Sequence, residues 1–370
     1  MATVKASYNI RPKSRNLYKN GKKRSLFVRL LMRFFPCTGD SIFEGARKII
    51  FIGAFGSFVY FGGGLLYDVV NEYYQQWRID QKMGEIFSGQ VEISDEDRAK
   101  INETKPDIME NYLYYYNQNN DLVGHVLLPD LSKDLAYDDL NRYTINYLVY
   151  QTDNNSYYLD HTFDHKPSAG GAIFADFRNR FDGRDLSANT VLFGHNIYSG
   201  NYFTKLTRYF QAYEYRDWEL TFYKNHPKVI FNSLYEEMEW KVFAVCFFNT
   251  EEQYGEVYRY IVPEFSDKDH FNEYILDIMD RSVLFTDVDI TYGDNILTLS
   301  TCYYPFGNNI DTRVGVFARR VREGEDPEVD TSKATLNTKY LPFDLQARNW
   351  GNPWEGRVWD TSKLLSYNEQ

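Results

Sequence analysis

From Leu122 to Val321 the sequence alternates between apolar and polar residues with a period of two, which is the pattern of half-buried β-strands. Turn-forming residues separate nine such runs, a spacing that predicts a mainly β domain built as a barrel or a sandwich. An aromatic content of 18% favours the same β-rich class. The nine predicted strands cover residues 124–129, 143–151, 171–174, 190–193, 229–231, 239–248, 257–262, 296–302 and 313–321.

Two helices are predicted between the strands, over residues 202–210 and 267–281. The second is the more strongly patterned, because its apolar residues recur at three- and four-residue intervals and therefore share one face. That face carries Phe271, Tyr274, Ile275, Ile278 and Met279.

Residues 49–67 form a run of 19 residues without a charge, preceded by Arg47 and Lys48. At about 1.5 Å per residue, a helix of this length matches the thickness of a bilayer core. A buried core helix is the alternative interpretation, and a signal peptide is less favoured because no small-residue cleavage site is evident. The positive charge before the run predicts a cytoplasmic N-terminus and an extracytoplasmic body, hence a single-pass protein of the cell membrane.

These patterns predict five regions along the chain. They are a basic cytoplasmic segment (1–48), a transmembrane helix (49–70), a helical stalk or N-terminal helices (71–120), a β domain (121–322) and a C-terminal extension (323–370). The stalk is predicted as two helices, interrupted near Gly89 and again before Pro106. The extension loses the strand pattern, so it either wraps over the surface or extends loosely from it.

Charge is distributed unevenly along the chain. Residues 1–48 hold 12 of the 41 basic and 2 of the 52 acidic side chains, which leaves 29 basic against 50 acidic residues in the remainder. Because an acidic body repels phosphate, we predict that nucleic acid is not a partner.

Three cysteines, Cys37, Cys246 and Cys302, have neither metal nor disulfide spacing, so we predict no metal site and no cofactor. Cys246 lies within an apolar run and is predicted to be a buried core residue. Cys302 ends the predicted strand 296–302, and a free cysteine outside a membrane suggests catalysis. A hairpin closed by residues 303–312 would bring Cys302 beside Arg313, as expected for an activated nucleophile.

Of the six histidines, His195 has the context of a catalytic base. It follows the apolar strand 190–193 directly, Gly194 permits close backbone approach, and Asn196 lies beside it. A structural or surface role remains the alternative for an isolated Gly-His-Asn sequence. Likewise, Arg313 could be an exposed strand charge and Cys302 a core cysteine.

Together these motifs resemble the sortases, the membrane-anchored cysteine transpeptidases of Gram-positive bacteria. The residues that carry the resemblance are Thr298-Leu-Ser-Thr-Cys302, the following Arg313 and Phe193-Gly-His195-Asn. The order of the segments around Tyr157, Gly171, Asn189 and Tyr202, and the helix before the last strands, is similar to class B. The resemblance covers roughly residues 110–322 and implies a closed β-barrel of about eight strands, with N-terminal helices and a long helix between the last strands.

The resemblance implies a mechanism as well. Cys302 would attack a peptide bond of a sorting signal, and His195 would protonate the leaving amine and then deprotonate the incoming amine. Arg313 would stabilise the oxyanion and favour the thiolate. The acceptor would be a cell-wall (peptidoglycan) precursor or a pilin lysine. The residues expected to bind substrate are Ser300, Thr301, Asn155, Leu159, Tyr198 and Tyr303.

Three departures from class B accompany the resemblance. Tyr303 stands where members often have an acidic residue, the loop from Cys302 to Arg313 is rich in aromatic residues and Asn, and the segment 323–370 has no assigned counterpart. Two other functions stay open on sequence alone: a cysteine endopeptidase that releases its product to water, and a non-catalytic membrane-tethered scaffold with a sortase-like barrel.

Overall fold

A computed structural model describes residues 18–19, 22–23, 25–87, 93–133 and 143–357 of the chain. The chain divides into two compact units, Met1–Asn71 and Glu72–Gln370. The residues of the predicted catalytic domain all lie in the second unit.

The first unit contains two helices and a two-residue strand pair, Tyr18–Lys19 with Lys22–Lys23. Helix α1 (Leu26–Phe34) begins at Ser25, whose hydroxyl accepts a hydrogen bond from the Val28 amide. Helix α2 (Ile42–Phe87) starts in this unit and continues past its end.

The predicted transmembrane helix over residues 49–70 lies inside α2. The segment Ile42–Asn71 contains an 18-residue stretch with a mean hydropathy of 1.9 and is long enough to cross a bilayer. Its apolar side chains are exposed, as Phe55, Phe58 and Leu65 show at 57%, 73% and 69%. The alternative of a helix buried in a protein core therefore does not fit this segment.

The helices before the barrel differ from the expected pair. Helix α2 continues without a break from the apolar segment to Phe87, and the predicted interruption near Gly89 falls outside the described residues. Two shorter helices follow, α3 (Asp95–Thr104) and α4 (Glu110–Gln118), so the predicted interruption before Pro106 is confirmed. Tyr112, Leu113, Tyr115 and Tyr116 of α4 are buried against the barrel wall.

Eight strands form a closed barrel, as expected. In chain order they are β1 (Leu122–Pro129), β2 (Tyr143–Tyr150), β3 (Ile173–Ala175), β4 (Asn189–Phe193), β5 (Lys228–Ser233), β6 (Glu239–Asn249), β7 (Ile296–Cys302) and β8 (Thr312–Arg320). Around the barrel the order is β6-β8-β7-β4-β3-β2-β1-β5. The pairs β4–β7 and β2–β3 are parallel, and the other pairs are antiparallel.

The prediction of a strand over residues 257–262, the seventh of the nine, was wrong. This segment is irregular, although Tyr260 is buried and its ring stacks on Phe248 with centroids 4.3 Å apart. Its alternating pattern arises from aromatic side chains that cover the barrel, while the Tyr260 and Val262 amides bond to carbonyls only two residues back. Pro263 then ends the run, because proline cannot donate to a strand ladder.

Helices cover the barrel on several sides. A turn of 3₁₀ helix (Thr204–Leu206) leads into α5 (Thr207–Glu214), so the helix predicted over 202–210 begins later and extends further. Helix α6 (Thr221–Asn225) is short. Helix α7 (Lys268–Arg281) confirms the second predicted helix: the Asp267 side chain caps it, and the five expected apolar residues are buried. Short strand pairs join Phe181–Asp182 to Asp185–Leu186 and Leu284–Phe285 to Thr335–Leu336.

The C-terminal extension packs against the barrel over its described part, residues 323–357. It includes helix α8 (Asp344–Trp350), and Tyr340 and Phe343 join the main hydrophobic core. Of the two expectations for this segment, wrapping over the surface is the one that the described residues bear out. Trp359 lies outside them.

An ion-pair cluster fixes the start of this extension to β8. Arg319 is 1% exposed, and its guanidinium donates two hydrogen bonds of 2.6 Å to the carboxylate of Glu325. Lys241 on β6 donates to the same carboxylate at 2.7 Å. These hydrogen bonds, that of Arg319 above all, outweigh burial and hold the pKa of Glu325 far below its ordinary value near 4.5.

We expect Glu325→Gln to destabilise the protein by about 3 kcal/mol at pH 7, because the buried Arg319 charge loses its two shortest bonds to a carboxylate and keeps the longer contact with Asp289 at 3.3 Å. A carboxylate whose pKa is lowered by folding contributes stability above its unfolded pKa and loses it as the pH falls towards the folded value. Thermal melts at pH 7 and at pH 3 should therefore show a smaller difference between wild type and variant at the lower pH. A pH-independent difference would contradict this assignment.

Candidate active site

Strands β7 and β8 place the candidate nucleophile beside a guanidinium. They pair antiparallel, and Cys302 is directly opposite Arg313 at the last rung of the ladder. Leu297, Leu299, Val314 and Val316 fill the barrel core, so the burial of alternate residues fixes this register. The predicted juxtaposition of Cys302 and Arg313 is present.

The parallel pair β4–β7 places His195 at the same edge of the barrel. Phe193 is in register with Ser300, the Gly194 amide donates to the Ser300 carbonyl at 3.2 Å, and the Thr301 hydroxyl donates to the Gly194 carbonyl at 2.8 Å. Because these two strands run in the same direction, the residues that follow their paired parts, His195 and Cys302, lie at the same edge of the barrel.

Gly194 is required by the close packing beneath this edge. A Cβ at this position would lie 2.3 Å from the Ile173 side chain and 2.8 Å from the ring of Phe203. Any larger residue would displace His195 or the strand that carries it.

The three side chains line one cleft of about 510 Å³, which is wide enough for an extended peptide. His195, Cys302 and Arg313 are partly exposed. Strand ends, the loops that join them and the segment after β6 form the rest of the wall. They contribute Asn155, Leu159, Phe174, Arg178, Phe193, Gly194, Asn249, Thr250, Val257, Tyr258, Arg259, Tyr260, Ile261, Ser300, Thr301 and Asp311.

Arg313 is held in place by Asp311, with which it forms a hydrogen-bonded ion pair, and by the Thr312 carbonyl at 3.2 Å. Burial alone would lower the pKa of Arg313, but the Cys302 thiolate and Asp311 outweigh it and raise the pKa above its ordinary value. The guanidinium therefore stays charged and close to the sulfur. A guanidinium fixed in this way has the chemistry of a hydrogen-bond donor to an oxyanion.

Two tyrosines contact the catalytic strand. Burial and hydrogen bonding with the Cys302 sulfur raise the pKa of the Tyr304 hydroxyl well above its usual range. The Tyr260 hydroxyl is 2.8 Å from the Ser300 Oγ, and burial raises the pKa of Tyr260 too. Both phenols therefore stay neutral at physiological pH, and of the two Tyr260 lines the cleft.

His195 Nε2 lies 2.8 Å from the backbone carbonyl oxygen of Leu159. Because a carbonyl oxygen only accepts hydrogen bonds, Nε2 carries a proton in this arrangement. The contact orients the imidazole and ties it to the loop between β2 and β3.

The same loop holds the predicted substrate residues Asn155 and Leu159. Both line the cleft, but the Asn155 side chain already bonds to Asp176 at 2.8 Å and to the Phe177 amide at 2.9 Å. Asp176 is fully buried; the hydrogen bonds from Arg178 and Asn155 outweigh burial and lower its pKa. Asp176 thus holds Arg178 over the cleft as a charge.

The structure gives different surroundings to the other four predicted substrate residues. Ser300 and Thr301 line the cleft but are 1% and 2% exposed. Tyr198 is fully exposed and is not among the residues of the cleft. The Tyr303 hydroxyl bonds to Glu214 on α5, and its ring packs on Phe210 and Phe247, so it points away from the cleft.

Sequence reasoning missed Arg178, Arg259, Tyr260 and Asp311, which share the cleft with the catalytic residues. Asp311 carried a signal, since its spacing of two from Arg313 puts both residues on one side of a strand end. The others come from loops, whose positions depend on tertiary packing.

A comparison with protein families matches the sortase domain to residues 139–321. Two curated relatives are sortase B of Listeria monocytogenes, 29% identical over 184 residues, and sortase B of Staphylococcus aureus, 29% identical over 176 residues. These matches cover 50% and 47% of this chain, and 63% and 66% of the relatives. The chain thus spans slightly less than two thirds of each relative.

Solved structures share the fold. A Staphylococcus aureus sortase B–substrate complex superposes with a TM-score of 0.51 at 22% identity, covering 68% of this chain and 99% of that one. Sortase B from Bacillus anthracis in complex with AAEK1 has a TM-score of 0.50 at 24% identity, and the match covers 69% of this chain and 99% of that one.

Proposed function

The chain belongs to the sortase family and groups with its class B, and on this premise we propose that it is a cysteine transpeptidase. It cleaves a peptide bond in a sorting signal and transfers the acyl group to an amine. The proposal rests on one observation: Cys302, His195 and Arg313 line the same peptide-sized cleft at a single edge of the barrel.

The proposed reaction has two halves. The Cys302 thiolate adds to the scissile carbonyl, and Arg313 donates hydrogen bonds to the oxyanion that forms. As this intermediate collapses, His195 gives a proton to the leaving amine, and a thioester remains on Cys302. An incoming amine then loses its proton to His195, attacks the thioester and releases the thiol.

We further propose that the peptide lies along the cleft between the loop after β2 and the segment after β6. Asn155 and Leu159 are at its wall, and Ser300 and Thr301 shape its floor. Tyr198 contributes at its margin through its exposed ring, and Tyr303 shapes the adjacent loop.

The test uses the full-length chain in detergent with a library of candidate sorting pentapeptides, with and without an added amine such as triglycine. Mass spectrometry should detect an acyl adduct on Cys302, and the amine should convert the product from free acid to amide. Free acid at every amine concentration would identify an endopeptidase instead. A peptide library that leaves Cys302 unmodified, together with a thiol inert to alkylation, would identify a scaffold.

Arg313→Lys should lower kcat/KM by about 10²–10³-fold, nearly as much as Arg313→Ala. A lysine keeps the charge but loses the planar fork that both pairs with Asp311 and reaches the oxyanion. Steady-state cleavage of a sorting peptide measures this loss, and the alkylation rate of Cys302 separates an effect on the thiolate from one on the oxyanion. Near-normal turnover in the lysine variant would show that charge alone suffices.

We also propose that the protein is anchored in the cell membrane by α2, with the N-terminus in the cytoplasm and the barrel outside. The apolar segment Ile42–Asn71 and the basic residues before it support this orientation. An impermeant maleimide applied to intact cells should label Cys302 and leave Cys37 unlabelled. The reverse pattern would invert the topology. The destination of the acyl group, cell-wall precursor or pilin lysine, would then follow from the amine found in isolated products.

A further inference from the structure

Residues 335–350, here called the C-terminal strap, run from the segment after α7 to the loop between β7 and β8. The strap lies beyond the matched sortase domain, which ends at residue 321. Its two ends have different partners, and these partners indicate what it does.

The first half of the strap is anchored by main-chain hydrogen bonds. Thr335 and Leu336 form a short strand with Leu284 and Phe285. Asn337 is 1% exposed; its main-chain amide donates to the Val283 carbonyl at 2.9 Å, and its side-chain amide donates to the Ser282 carbonyl at 2.8 Å. This half is thus fixed to the segment after α7.

The second half is anchored by aromatic packing. Tyr340 is 1% exposed and meets Tyr213 of α5 edge-on at 4.8 Å. The rings of Phe343 and Trp350 lie 5.4 and 6.0 Å from the ring of Phe247 on β6. Aromatic contacts of this kind stabilise beyond the area they bury.

The strap ends on the loop that joins the nucleophile to the oxyanion donor. Phe306, in the middle of the β7–β8 loop (residues 303–311), lies 4.7 Å from the ring of Trp350 and 6.3 Å from that of Phe343. Phe247 completes this aromatic cluster, 6.0 Å from Phe306. The loop has few main-chain bonds within itself: those described join Gly307 to Tyr304 and Ile310 to Gly307.

We propose that the C-terminal strap is a positioning element of the active site: Trp350 and Phe343 hold Phe306, and through it fix the β7–β8 loop as a preformed wall of the cleft. The loop carries Asp311, which lines the cleft and pairs with Arg313. Ordering a loop before substrate arrives removes an entropic cost from binding. The chain in this way compensates for an aromatic-rich loop that would otherwise open locally.

Hydrogen exchange tests the strap without substrate, in the full-length chain. Trp350→Ala should speed exchange of the loop amides 304–311 by about tenfold or more, since the aromatic cluster loses its largest ring. The matched control is Trp354→Ala, which removes an equally large side chain just beyond the strap. Trp350→Phe should restore most of the protection.

Peptide kinetics form a second arm, which rests on the proposed transpeptidase function. Trp350→Ala should raise KM about tenfold with a smaller change in kcat, because substrate must then order the loop. Phe306→Leu should do the same, and adding it to Trp350→Ala should cost little more, because both changes break one contact. If the wild type cleaves no peptide, the proposed function fails while the exchange result still decides the role of the strap.

Two outcomes would overturn the proposal. One is unchanged exchange of residues 304–311 in a folded Trp350→Ala protein. The other is faster exchange spread evenly over all barrel strands, which would indicate a global stability role. Should Trp350→Ala fail to fold, Trp350→Leu keeps apolar volume while removing the ring, and the same two readouts apply to it.

Discussion

Cys302→Ala should abolish cleavage of a sorting peptide, with a loss of at least about 10⁴-fold in kcat, while the domain stays folded. Among the described residues that line the cleft, Cys302 is the only thiol, and a thiolate is a far stronger nucleophile than the hydroxyl groups of Ser300 and Thr301. Cys302 lies at the end of β7 and is partly exposed, so its removal should leave no large buried cavity.

The chain supplies a matched control in Cys246. This cysteine is fully buried on β6, its thiol donates to the Ile278 carbonyl at 3.2 Å, and burial raises its pKa far above the ordinary value. Cys246→Ala should therefore lower the melting temperature and leave kcat near that of the wild type. Cys302→Ala should abolish turnover and leave the melting temperature near that of the wild type. Measurable turnover without a thiol at position 302 would remove the proposed mechanism altogether.

Much of this site could be predicted from the sequence because it is built on paired strands. Alternating burial fixed the ends of β7 and β8, and the 11-residue separation of Cys302 and Arg313 then required a hairpin that places them opposite each other. His195 was predictable for a similar reason, since it directly follows an apolar strand and a glycine.

Contacts made by loops and by the extension could not be predicted in this way. Residues 257–262 have the alternation of a strand, yet their aromatic side chains pack onto the outside of the barrel instead of pairing through the main chain. Tyr303 follows Cys302 directly in the sequence, but its hydroxyl donates a hydrogen bond to Glu214 and therefore points away from the cleft. The sequence of the strap shows no periodicity. Aromatic contacts hold it in place, and their partners lie about 40 to 100 residues earlier in the chain, so no local pattern reveals them.

His195→Ala should lower kcat/KM for an amide substrate by about 10²–10⁴-fold, because His195 carries the one imidazole among the described residues that line the cleft and would protonate the leaving amine. The histidine variant also permits a sharper test than loss of activity. A thioester of the same peptide has a leaving group that needs no proton, so the variant should recover much of the wild-type rate of enzyme acylation on it. Cys302→Ala should lose activity on the amide and on the thioester equally.

The control for orientation is His195→Gln, whose side-chain amide can still donate to the Leu159 carbonyl that now holds Nε2 at 2.8 Å. If His195 served only to fix the loop after β2, glutamine would preserve cleavage of the amide. We expect it to fail as alanine does, because an amide neither donates a proton to the leaving amine nor accepts one from the incoming amine. Equal losses of the amide and thioester reactions in both variants would instead assign His195 to generating the thiolate, with the proton transfers made elsewhere.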